Sequence, residues 1–90
     1  QNSLSLKQHD LNNWIVSIAD DFRMEYKSSG IELCYDLDPT VGYISFDDVK
    51  IEIVLSNLLI NALKFSESGT KTIVSTQKND NSVRINEAFF

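Results

Sequence analysis

Asn57, Asn61 and Lys64 fall at i, i+4 and i+7 within a strongly apolar run, and their types and spacing suit a particular chemistry. At about 100° per residue they share a helical stripe roughly 60° wide. Asn is a poor residue for a helix interior, because its carboxamide competes for backbone hydrogen bonds. Two of them one turn apart need a reason. A carboxamide oxygen is a hard, neutral ligand suited to magnesium. A lysine one turn further on supplies a point positive charge for phosphate. The chemistry so encoded is retention of a metal-bound polyphosphate. A plainer account has both carboxamides capping or bridging neighbouring backbone while Lys64 is solvated, and spacing alone leaves the two open.

Other side chains with chemical potential carry weaker patterns. Cys34 is the single cysteine, so an internal disulfide is excluded, and it reads as a small core residue of a strand. Asp20, Asp21 and Glu25 cluster on a helix and read as a solvated face. Asp36 and Asp38 bracket a turn and read as turn formers. Trp14, Phe22 and Tyr26 recur at helical spacing and read as core. His9, between Gln8 and Asp10, reads as an ordinary surface histidine. Phe89-Phe90 closes the sequence with nothing following to pack against, which suggests an end effect or self-association.

Composition narrows the function classes. Of 90 residues, 42% are apolar and 23% charged, as in an ordinary soluble domain. Eight basic against 13 acidic residues leave a net charge of −5, which disfavours nucleic acid, since duplex binding depends on neutralising phosphates. A single nucleotide, held by one lysine, a metal and a few amides, remains compatible. No apolar run reaches the roughly 20 residues that span a bilayer. The opening Gln1-Asn2-Ser3, without Met, suggests an internal or a trimmed segment.

The elements that must position the stripe follow from periodicity. Leu4 to Asp10 alternates weakly, as a short strand. Asp10 or Asn12 offers an N-cap oxygen. Leu11, Trp14, Ile15, Ile18, Ala19, Phe22 and Tyr26 then predict one amphipathic helix over Asn12 to Ser28, ended by Gly30 in the left-handed conformation. Ile31 to Tyr35 and Val41 to Phe46 predict strands that form a hairpin across the Asp38-Pro39-Thr40 turn. Asp47-Asp48 opens the helix over Val49 to Phe65, with carboxylates at the positive end of its dipole. Lys71 to Gln77 and Ser82 to Ile85 predict a second hairpin. Two helices on one face of a mostly antiparallel sheet, in the order β-α-β-β-α-β-β, make an α+β two-layer sandwich.

The stretch from Asp47 to Ser66, with Asn57-Leu58-Leu59-Ile60-Asn61-Ala62-Leu63-Lys64-Phe65-Ser66 at its heart, closely resembles the N-box of sensor histidine kinases. The flanking Asp at the helix start and the Gly69 loop leading to a hairpin agree. The resemblance implies a partial Bergerat-type ATPase fold, of the superfamily shared with gyrase, mismatch-repair ATPases and large heat-shock chaperones. It extends over about Leu4 to Ile85, but only the N-box at 47–66 is a specific motif.

The same resemblance implies that Asn61 coordinates the Mg2+ bridging the ATP phosphates. Asn57 faces those phosphates or their metal, Lys64 contacts a phosphate oxygen, and Phe65 matches an aromatic position beside the pocket. It implies a parent that transfers the γ-phosphoryl of ATP to a histidine in its own dimerisation domain, in a two-component system with a response regulator. The ATP-binding part then faces the cytoplasm.

The later family motifs, Asp-x-Gly-x-Gly, a lid and a second Gly-rich segment, are not among residues 1–90, which read as the N-terminal part of that domain. Weak or undetectable ATP binding, no kinase activity of this chain alone, and homodimerisation through an open sheet edge are the expectations. The alternative is a non-catalytic regulatory module on the same scaffold.

Overall fold

Alternating strand residues and two capped helical segments give the chain its layers. The protein is seen in a computed structural model that describes residues 6–80, 82–86, 88 and 89. Strand β1 (Leu6–Asp10) leads directly into helix α1 (Leu11–Asp20). Of the two proposed caps, Asp10 takes the role: its backbone is extended and its carboxylate accepts from Asn13 N at 3.2 Å. Asn12 bridges instead. Its carboxamide donates to Asp38 O at 2.9 Å and accepts from Thr76 Oγ1 at 3.0 Å.

The single helix expected over Asn12 to Ser28 is two. Helix α1 ends at Asp20 and α2 (Arg23–Ser28) follows after a tight turn at Asp21-Phe22. Asp20 sits at the break, where its Oδ1 accepts from Arg23 Nη2 at 3.0 Å and Tyr35 Oη at 2.8 Å. Apolar spacing runs through the break unchanged, because Phe22 and Tyr26 still point at the core. Gly30 ends α2 at φ +73°, as its position suggested.

Strands β2 (Glu32–Asp36) and β3 (Tyr43–Asp47) do not form the expected hairpin. β3 pairs antiparallel with β1, Leu6 opposite Asp47 and Asp10 opposite Tyr43. β2 pairs in parallel with β4 (Lys71–Lys78), Glu32 opposite Lys71. The connecting turn at 38–42 therefore carries the chain between sheets. Asp38 holds it, accepting from Thr40 N at 2.9 Å and from Lys78 N at 3.0 Å.

The expected second hairpin is present as β4 and β5 (Val83–Ile85). Beyond it, β6 (Ala88–Phe89) pairs antiparallel with β5, a strand that the residue pattern had not suggested; Phe90 lies outside the described residues. Asn86 makes this turn at φ +53°, its side chain accepting from Ser75 N at 2.7 Å. Among the described residues the sheets are thus β1-β3 and β2-β4-β5-β6.

One core joins the layers. From the four-stranded sheet come Leu33, Val74, Val83 and Ile85; from the helices come Leu11, Ile15, Ile18, Ala19, Tyr26, Ile51, Leu55 and Leu59. Trp14 and Phe22 pack against it, half-buried. The other sheet face carries Glu32, Cys34 and Asp36 opposite Lys71, Ile73 and Ser75. Cys34 is consequently half-buried beside the exposed Ile73 and is not in the core. Burial and the neighbouring Glu32 push its thiol up.

Candidate functional site

Helix α3 (Asp48–Phe65) carries every residue of the proposed site. It begins as Asp47-Asp48 suggested: the Asp47 carboxylate caps it, accepting from Lys50 N at 3.1 Å. Asp48 lies in the first turn and Lys64 in the last, each at the helix end whose partial charge it offsets. Ser66 closes the helix, its N–H donating to Ala62 O at 3.0 Å.

The inward side of α3 is apolar and anchored. Ile51, Leu55 and Leu59 are buried. Trp14 Nε1 donates to Asp48 O at 3.2 Å near one end, and Tyr26 Oη to Leu59 O at 2.6 Å further along.

The outward side holds Asn57, Asn61, Lys64 and Phe65, all exposed. Among the described residues, neither carboxamide makes a hydrogen bond, so they do not cap or bridge backbone there. Lys64 Nζ stands 5.7 Å from the centroid of the Phe65 ring, within cation–π range. Phe65 is itself 78% exposed, and Val49, Ile53 and Ile60 add an exposed apolar row that periodicity had not separated from the buried one. Carboxamide oxygens one turn apart with an ammonium beside them can ligate a metal-bound phosphate chain.

A cleft of about 260 Å³ lies elsewhere, at the opposite end of α3, lined by Leu11, Ile44, Phe46, Ile51 and Val83. None of the four proposed residues lines it. Among the described residues no element covers the outward side of α3 at Asn57, Asn61, Lys64 and Phe65, which are all exposed.

His9 is not on the surface as expected. It is half-buried, 5.0 Å from the Phe46 ring and 6.4 Å from Trp14 between centroids, with Nε2 3.6 Å from Asp48 Oδ2. Its role is to seat β1 against the start of α3. Asp20, expected to be merely solvated, is held below the usual carboxylate range by the Tyr35 hydroxyl and then by Arg23. Tyr35 is pushed up to about 12 by burial and by Asp20. No signal in the sequence joins these three, which come from α1, α2 and β2. Among the described residues, no cluster of His, Cys, Asp and Glu suits a metal, and no helix is long and apolar enough to cross a membrane.

No protein-family model matches the chain. It is 34% identical over 74 residues to the adaptive-response sensory kinase SasA of Rippkaea orientalis, covering 80% of this chain and 19% of that protein. The catalytic domain of histidine kinase ThkA, in a nucleotide-free form, superposes with a TM-score of 0.83 at 22% identity, over 91% of this chain and 56% of that one. ThkA solved with response regulator protein TrrA gives 0.79 at 22%, over 89% and 24%. Full-length ShkA in complex with AMPPNP gives 0.83 at 25% identity, over 93% and 18%.

The fold is that of the catalytic ATPase domain of histidine kinases. The chain itself is related in sequence to a sensor kinase of that class and spans about a fifth of its length.

Proposed function

We propose that this chain is part of the ATP-binding domain of a sensor histidine kinase and that the outward side of α3 is its phosphate and magnesium site. The observation that carries the proposal is the pair of exposed carboxamides, Asn57 and Asn61, without a hydrogen-bond partner among the described residues, beside Lys64 on a helix otherwise fixed to the core. The donor set fits the group: neutral oxygen ligands suit magnesium, which keeps several waters and shares its coordination with phosphates. Asn61 holds the metal, Asn57 holds the metal or the phosphates, Lys64 neutralises a phosphate oxygen, and Phe65 flanks them. Bound Mg2+ supplies charge neutralisation at the transferring phosphoryl group. No residue here acts as a base, and the accepting histidine of the parent's dimerisation domain is the nucleophile.

ShkA was solved with AMPPNP and ThkA with a response regulator, which supports ATP as ligand and a response regulator as partner of the parent. Its source of ATP puts the domain on the cytoplasmic side. Among the described residues β2 ends its sheet, which supports pairing with a second copy. Light scattering over a concentration series checks this, and a strictly monomeric species counts against it.

The test of the site is a magnesium-ATP titration followed by NMR on this chain and on Asn61→Ala. Weak shifts centred on Asn57, Asn61 and Lys64, and absent in the variant, are expected. Shifts centred elsewhere would remove the site assignment, and micromolar binding would overturn the expectation that residues 1–90 alone bind poorly.

A further inference from the structure

The packing that holds α3 is mostly non-directional. Ile51, Leu55 and Leu59 are buried by an effect that depends on area and not on angle. Such contacts leave a helix some freedom to roll about its own axis. At the radius of helical side chains, a roll of about 20° carries an outward polar group on the order of 2 Å. Metal and phosphate ligands do not tolerate that displacement. Something directional must set the roll, and it must act near Asn57 and Asn61.

Tyr26 meets both conditions. Its side chain is fully buried, and its hydroxyl donates to Leu59 O at 2.6 Å, across 33 residues of sequence. Leu59 stands midway between the two asparagines. Its carbonyl has two lone pairs, one serving the helix's own ladder and one open to a second donor. The bond therefore fixes the azimuth of α3 without breaking its ladder.

The base of the tyrosine is itself held to the sheet. Tyr26 O accepts from Ile31 N at 2.9 Å, at the entry to β2. One residue on, Glu32 N donates to Thr70 O at 3.0 Å, and Gly69 N donates to Gly30 O at 2.8 Å. The turn after α2 is thus stitched to the turn after α3.

We propose that Tyr26 is the positioning residue of the nucleotide site: through the Leu59 carbonyl its hydroxyl sets the roll of α3, and with it the placement of Asn57, Asn61 and Lys64. This rests on the reading of those residues as phosphate and magnesium ligands. The hydroxyl touches no nucleotide.

The experiment compares the whole chain with Tyr26→Phe, Ile15→Val and Asn61→Ala. Residual dipolar couplings without nucleotide give the orientation of α3 against β4 and β5. Tyr26→Phe keeps the buried ring and is expected to fold, to shift the Leu63 amide resonance, and to roll α3 by more than Ile15→Val does. In the titration with magnesium-ATP its response at the Asn57 and Asn61 side-chain amides weakens by about 10- to 100-fold. An unchanged orientation, or an equal change in Ile15→Val, overturns the proposal. A rolled helix in Tyr26→Phe together with an undiminished response in Asn61→Ala leaves the positioning intact and removes the nucleotide site. In the unsubstituted chain, the Tyr26 hydroxyl proton is expected to exchange slowly and to show a cross-peak to Leu59; rapid exchange with solvent overturns the proposal even if Tyr26→Phe does not fold.

Discussion

The two long sides of α3 follow opposite rules. Inward, Ile51, Leu55 and Leu59 are buried, and a tyrosine takes up a main-chain carbonyl. Outward, Val49, Ile53, Ile60 and Phe65 stay exposed and two carboxamides find no partner among the described residues. One side spends its residues on stability and the other leaves polar and apolar groups unused by the fold. The difference shows that composition alone does not say which apolar residues of a helix are core. It also means that substitutions on the two sides should separate folding from binding.

The largest expected effect is inward. Leu55→Ala or Leu59→Ala should lower unfolding free energy by about 2–5 kcal/mol in urea titration. A loss under about 1 kcal/mol would erase the contrast between the sides. Next comes the stitched turn: Gly30→Ala should cost about 1–3 kcal/mol, because φ is +73° and a methyl there meets Ser68 Oγ. Adding Ser68→Ala should recover the steric part and leave the backbone part, which sharpens where α3's far end is held. Asp47→Ala should cost about 1 kcal/mol through loss of the cap, read as a lower melting temperature.

Titration separates the regions by direction. Burial raises Tyr26, with Thr72 opposing. A raised tyrosine stabilises the fold fully below its unfolded value, about 10, and that contribution disappears as pH rises through the folded value. Melting temperature should therefore fall above about pH 10, and less steeply in Tyr26→Phe. Asp38 runs the other way. Its backbone bond from Lys78, then its bonds with Thr40, hold it low, so its contribution is present above about pH 4 and lost as pH drops through the folded value. Asn57→Ala and Asn61→Ala should be the mildest changes: neutral, or stabilising by up to about 0.7 kcal/mol because alanine is the better helix former. A loss beyond about 1 kcal/mol would make the outward side structural after all.

Much of this was legible from residue order. Asp47-Asp48 announced the start of α3, Gly30 the end of α2, and the polar run Lys78-Asn79-Asp80-Asn81 the β4–β5 hairpin. The N-box wording led to the fold that the superpositions show. What stayed hidden depends on partners distant in sequence. Alternation in β2 says which residues share a face, but not that β4 lies alongside in parallel. The Asp21-Phe22 break keeps the apolar rhythm, so periodicity passes over it. Tyr26 and His9 read as ordinary core and surface residues, because a hydroxyl reaching Leu59 or a ring wedged beside Phe46 leaves no trace in local spacing.

The parallel pairing of β2 with β4 has a consequence for how the chain is made. Residue 32 waits for residue 71, and β3 and α3 lie between them in the chain. A ribosome delivering the chain from its N-terminus releases β2 long before its neighbour exists, and loop-closure entropy opposes the pairing until the intervening helix condenses. The β1–β3 ribbon can close early; the main sheet zips late, and its first strand must remain unaggregated in the interval.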